Sequence, residues 1–134
     1  HPTAGITAIG ARMPLVAFNV NLATSDVEIA KKIAKVIRGS SGGFRSCKAM
    51  GFMLEDRGIA QVSMNMVNYE DTPLNVVYEM IKSLAERYGT YIVGSEVVGL
   101  TPAKALLDCA EHYLKLENFD AHNQVMEYHL VGME

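Results

Sequence analysis

Cysteine is scarce in this chain of 134 residues: only Cys47 and Cys109 are present. Two thiols so far apart exclude a disulfide framework or a zinc site and make a reduced, cytoplasmic setting the default. No apolar run reaches the ~18 residues that a membrane span needs. Positive charge is not in excess, with 12 Lys and Arg against 15 Asp and Glu and a net charge of -3. That balance argues against a nucleic-acid module that works by neutralising phosphates. The start, His1-Pro2-Thr3, has no initiator Met, no basic run and no apolar stretch of a signal peptide. It reads as a piece of a longer chain or a processed product. There is no internal repeat, and no low-complexity stretch beyond Gly39-Ser40-Ser41-Gly42-Gly43. What is present is a core-forming composition, 49% apolar and 20% charged, for one domain.

Period and punctuation predict the elements. Residues 13–22 alternate, with Val16, Phe18, Val20 and Leu22 on one side and Ala17, Asn19 and Asn21 on the other, which predicts a strand. Ser25 stands three residues before Glu28 at capping-box spacing. Behind it Val27, Ala30, Ala34 and Ile37 recur at helical intervals, and Lys31, Lys32, Lys35 and Arg38 fall on the wet side. Gly39 ends that helix, and the glycine-serine run after it reads as a flexible connection, not a phosphate cradle.

Residues 47–54 and 59–67 predict a β-hairpin around Glu55-Asp56-Arg57-Gly58. In its second strand Ala60, Val62, Met64 and Met66 oppose Gln61, Ser63 and Asn65. Met50, Met64 and Met66 are read as packing residues. Thr72-Pro73 and Thr101-Pro102 each predict an N-cap with proline at the first helical position. Leu74, Val77, Ile81, Ala85 and Tyr88 stripe one helix; Ala103, Leu106, Leu107, Ala110, Tyr113 and Leu114 stripe the other. Residues 90–98 predict a fourth strand between them, and a shorter helix is expected from Phe119 to Glu134.

The order β-α-β-β-α-β is the split βαβ pattern of ferredoxin-like α+β domains. Right-handed crossovers place both main helices on one face of a single sheet, with the first and third strands central and one or two extra helices at the C-terminus.

Those central strands carry Asn19, Asn21, Gln61, Ser63 and Asn65 opposite their core-facing residues. A buried amide or hydroxyl without a partner costs ~1–3 kcal/mol. Five such groups in a dry layer would consume much of the ~5–15 kcal/mol that holds a domain together. The face must therefore meet water, a ligand, or a polar surface of another domain. A solvated face is common in antiparallel sheets. Uncharged Asn, Gln and Ser beside small Ala17 are unusual there, and they both donate and accept, which suits heterocycles and amides. RNA-binding relatives of the fold stack bases on aromatics of this face, and none is expected on it.

Arg12 in Gly10-Ala11-Arg12 stands just before the polar strand and could hold a carboxylate bidentately, or be a surface residue. Glu96 near the end of the fourth strand could orient a substrate amine or be solvated. His112, His122 and His129 match no common ligand spacing and read as surface histidines, so no metal is expected. Cys109 reads as a small buried apolar residue with no neighbouring base. No self-contained catalytic set is visible.

Several stretches together carry a resemblance. Gly10-Ala11-Arg12, Leu15 to Leu22, Gln61 to Asn65, Val93 to Leu100, and Pro102 with Lys104 to Asp108 resemble the C-terminal subdomain of glutamate formiminotransferases. The likeness runs from about His1 to Asn118, so residues 1–134 are expected to form that one subdomain. The resemblance implies transfer of a formimino group from N-formimino-glutamate to N5 of tetrahydrofolate, in histidine degradation. It implies two subdomains whose sheets face each other with folate between them, and a catalytic histidine in the N-terminal subdomain, so no catalytic residue is assigned here. It also implies that His1, Pro2, Thr3 and Ala4 end a folate-contacting loop. The expected wall is then Asn19, Asn21, Gln61, Ser63 and Asn65, with Arg12 and Glu96 at its edges. Tetrahydrofolate is the only cofactor expected, acting as formimino acceptor, and the partners are the N-terminal subdomain and small substrates, with no nucleic acid and no membrane. A homodimer is left open. The rival reading is a non-catalytic ferredoxin-like module for ligand binding or dimerisation.

Overall fold

A computed structural model describes residues 1–130. The strands are Val16–Leu22 (β1), Cys47–Leu54 (β2), Ile59–Met66 (β3) and Ile92–Val98 (β4). The helices are Val27–Ile37 (α1), Leu74–Arg87 (α2), Ala103–Leu114 (α3), Ala121–Gln124 (α4) and Met126–Leu130 (α5). The strands form one sheet in the order β2-β3-β1-β4, with every neighbouring pair antiparallel. The expected ferredoxin-like α+β arrangement is therefore present, with β1 and β3 central. The tail holds two short helices in place of one, and residues 131–134 of the expected tail helix lie outside the described residues. Among the described residues no helix is long and apolar enough to cross a membrane.

Alternation decides which side chains meet the helices. Val16, Phe18, Val20 and Leu22 of β1 and Ala60, Val62, Met64 and Met66 of β3 are all buried. They pack with Ala30, Ile33, Ala34 and Ile37 of α1 and Leu74, Val77, Ile81 and Ala85 of α2 in one core. Full burial of each large aliphatic side chain contributes about 1.5–3 kcal/mol.

Several local expectations need correction. Asp26, not Ser25, caps α1: its Oδ1 accepts from the Glu28 N–H at 2.9 Å. Thr24 Oγ1 in turn accepts from the Asp26 N–H at 3.1 Å, which fixes the entry one residue later than the Ser25–Glu28 spacing implies. Pro73 (φ -63°, ψ 148°) and Pro102 (φ -60°, ψ 132°) are themselves extended N-caps. Thr72 and Thr101 stand one residue outside and do not cap. The run Gly39 to Gly43 is a packed turn, not a flexible link. Gly39–Ser41 forms a 3-10 turn, and a Cβ on Gly43 would lie 2.3 Å from the Val36 carbonyl oxygen. Of the stripe expected on α3, Leu106, Tyr113 and Leu114 are exposed; the buried residue of α3 is Ala105.

The larger correction concerns β2. Cys47, Ala49 and Gly51 face α1, and Lys48, Met50 and Phe52 face away, because Lys48 pairs with Asn65, Met50 with Ser63 and Phe52 with Gln61. A Cβ on Gly51 would meet the Lys31 backbone nitrogen at 2.4 Å. The helix lies so close to β2 that only small side chains fit beneath it. Met64 and Met66 are buried as expected, but Met50 is 60% exposed on the open face.

Candidate functional site

The open face is a grid of side chains set by the pairing registers. One row runs Met50, Ser63, Asn19, Glu96 and the next runs Phe52, Gln61, Asn21, Gly94. Lys48, Asn65, Ala17 and Val98 form a third. All five uncharged polar residues expected on this face are on it.

The two rows are knit by a small network. Asn19 Nδ2 donates to Glu96 Oε1 at 3.1 Å. Gln61 Nε2 donates to the same oxygen at 2.9 Å and to Asn21 Oδ1 at 2.8 Å. Asn21 and Gln61 are 4% and 5% exposed, and the network gives each of them a partner: Asn21 Oδ1 and Gln61 Nε2 are paired instead of stranded. Bonds from amide N–H groups to a carboxylate are charge-assisted and stronger than neutral ones. Glu96 Oε1 is fully engaged, and Oε2 accepts nothing among the described residues. Glu96 stands on the edge strand β4, at the edge of the face, and its carboxylate is the hub that joins the two central strands. Ser63 is half-buried, Asn65 is exposed, and neither side chain is hydrogen-bonded among the described residues.

The expected N-terminal contributors stand apart. His1 Nδ1 accepts from the Ala4 N–H at 3.0 Å and the Thr3 N–H at 3.3 Å, closing a local turn that includes Pro2. Arg12 is exposed and makes no ion pair among the described residues. The structure does not bring His1, Pro2, Thr3, Ala4 or Arg12 to the network.

The expectation of an open face without aromatics fails at Phe52, which is 44% exposed on edge strand β2. The central strands still present amides and a hydroxyl where base-stacking sheets carry rings. Met50, Phe52 and Lys48 were missed because β2 has no clear alternation of polarity. The signal available was the alternation of size: Cys47, Ala49 and Gly51 are all small.

The remaining candidates lie elsewhere. His112, His122 and His129 are exposed on α3, α4 and α5, and His129 Nε2 contacts the Asn123 carbonyl oxygen at 3.2 Å. Cys109 is half-buried, not buried; its Sγ donates to the Ala105 carbonyl at 3.3 Å, and burial pushes the thiol pKa up. It lines an apolar recess of about 410 Å³ with Phe18, Leu74 and Tyr78, on the helix side of the sheet.

An antiparallel sheet covered by helices on one face, with an amide-and-carboxylate network on the other, defines an α+β domain of ferredoxin-like type. The profile of the Formiminotransferase domain family matches residues 17–131, and the chain belongs to that family. It is 65% identical over 132 residues to the glutamate formimidoyltransferase of Streptococcus pyogenes serotype M1, covering 98% of this chain and 44% of that protein. Identity to the glutamate formimidoyltransferase of Thermoplasma acidophilum is 49% over 120 residues, 90% of this chain and 40% of that protein. The formimidoyltransferase-cyclodeaminase of Gallus gallus is 43% identical over 122 residues, 87% of this chain and 22% of that protein. The chain thus spans less than half the length of the relatives it matches.

Proposed function

We propose that this chain supplies one wall of the folate groove of a glutamate formimidoyltransferase. The single observation that supports the reading most is the Asn19–Glu96–Gln61–Asn21 network, which leaves one carboxylate oxygen without an internal partner among the described residues, beside uncharged hydrogen-bonding side chains of the central strands. A pterin edge offers N–H groups beside carbonyl and ring-nitrogen acceptors, and such mixed edges match amides and a carboxylate. Ser63 and Asn65, whose side chains make no hydrogen bond among the described residues, extend the wall.

The reaction proposed is transfer of the formimino group from N-formimino-glutamate to tetrahydrofolate. The N5 lone pair forms a bond to the formimino carbon and loses its proton to a general base. The carbon–nitrogen bond to glutamate then breaks, and the departing amine takes up a proton. No histidine stands on this wall, and the base is assigned to the facing subdomain, in the part of the relatives that this chain does not span. The role of the wall is to orient the pterin and keep N5 beside the formimino carbon. His1 to Ala4 and Arg12 join the groove in this reading only when the facing subdomain orders the exposed segment that holds them. A cytoplasmic place in histidine degradation accords with two free thiols.

The test is a titration of folinic acid, a stable reduced folate, read on the side-chain amide resonances of Asn19, Gln61 and Asn65, with Asn75 on α2 as control. Saturable shifts confined to the first three are expected. A wall that stays unmoved while folinic acid binds elsewhere overturns the proposal.

A further inference from the structure

The β2 corner of the open face opens onto a recess of about 560 Å³, lined among others by Arg38, Arg45, Lys48, Phe52, Ser63 and Asn65. Three cations meet there in a chain whose net charge is -3. None of them is in an ion pair among the described residues. Arg38 Nε donates to Ser41 Oγ at 2.7 Å, which steadies that guanidinium. Asp71 accepts from Ser46 Oγ at 3.4 Å, one residue from Arg45, but does not line the recess. Lysine on an edge strand also discourages sheet-to-sheet pairing. That role asks for neither two further arginines nor a recess continuous with Ser63 and Asn65.

The grid gives the face a polarity. Glu96 stands on one edge strand and Lys48 on the other, three strands and one row apart. Strand spacing and rise place them about 16 Å from each other. A ligand with donor groups at one end and an anion at the other fits this face in only one direction.

We infer that Arg38, Arg45 and Lys48 form a carboxylate subsite that fixes the direction in which a ligand lies across the sheet. Donor groups rest on the Glu96 network, and the carboxylate end reaches the β2 corner. Bidentate guanidinium pairing supplies directionality there, and Lys48 adds a point charge. The identity of the ligand's other end rests on the folate reading; the anion site itself does not. Two sources offer the carboxylate, namely the glutamyl end of the folate and the free glutamate released from the donor.

Folic acid and pteroic acid share the pterin and differ by the glutamyl group, so their affinities for the protein isolate that end. Folic acid is expected to bind about tenfold tighter or more. Arg45→Glu combined with Lys48→Glu should remove that advantage and leave pteroic acid within about twofold. Because both residues are exposed the fold should persist, and salt provides a check that needs no variant. Raising ionic strength from about 0.05 to about 0.5 M must shrink the ratio of the two affinities. A glutamate titration followed at Lys48 and Arg45 separates the second source. Loss of either folic acid or glutamate affinity in the double variant supports the subsite and names the source. Pteroic acid failing to bind while glutamate still shifts Lys48 and Arg45 would sink the folate reading and keep the anion site. Affinities for folic acid and glutamate that ignore both the double variant and salt overturn the inference.

Discussion

Glu96→Gln puts the site's central hydrogen bond to a direct test. In the present network Oε1 takes amide hydrogens from Asn19 at 3.1 Å and Gln61 at 2.9 Å. A glutamine side chain at 96 has the same shape. Its oxygen must still face those two donors, because Gln61 cannot turn its own amide without losing the 2.8 Å bond to Asn21. The substituted NH₂ then points outward where Oε2 had been. Fold and network survive, while the outward group changes from a charged acceptor to a neutral donor. A ligand donor placed there loses a charge-assisted bond, worth about 1.5–3 kcal/mol, and meets another donor instead. Glu96 lies on an exposed strand, so the lower part of that range applies. About 2 kcal/mol corresponds to roughly a thirtyfold rise in Kd. Calorimetric titration of folinic acid measures it, with urea unfolding as the control. The expected result is a Kd raised by that order with stability within about 0.5 kcal/mol of the parent. Unchanged affinity in a stable variant would show that no ligand donor meets this oxygen, and the orienting role of Glu96 would fall.

Two further predictions concern the scaffold. Gly51→Ala forces a methyl group to within 2.4 Å of the Lys31 nitrogen, about 1 Å short of a normal contact. It should cost about 3 kcal/mol and lower Tm by about 10 °C, read by thermal unfolding; a loss below about 0.5 kcal/mol would refute the close helix–strand contact. Burial holds the Cys47 thiol at about 11 against an ordinary 9.0. The unfolded chain therefore releases this proton first. Stability from this source is complete below pH 9.0 and drains away as pH rises toward about 11. Urea melts across that window should show a decline of about 2–3 kcal/mol that flattens in Cys47→Ala, and an identical decline in the variant would assign the loss to other groups.

Element order and the central pair of strands were legible because β1 and β3 alternate strictly, and alternation fixes the face of every residue at once. Asn19, Asn21, Gln61, Ser63 and Asn65 followed from that alone. Glu96 was visible as a residue but not as the hub, since its partners are 77 and 35 positions away in the chain. Strand β2 misled for a physical reason. Hydrophobicity usually marks the buried side, but α1 approaches too closely for large side chains, so Cys47, Ala49 and Gly51 hold the inner face and Met50 and Phe52 stand outside. The cationic corner was hidden with it, because the sequence does not show that the turn after α1 brings Arg38 and Arg45 beside Lys48. Helix entries were displaced by one residue wherever a proline or Asp26 took the capping position itself.

The bond from Gln61 to Glu96 passes over β1 and joins two strands that are not neighbours. An edge strand is ordinarily the first part of a sheet to open, because a single ladder restrains it. Here β4 is also riveted to the strand beyond its neighbour. Transient detachment of β4 must therefore expose the buried amides of Asn21 and Gln61 as well. Opening of the rim must break the Gln61–Glu96 bond as well, so amide hydrogen exchange in β4 should quicken when Gln61 is replaced by a residue that cannot make that bond.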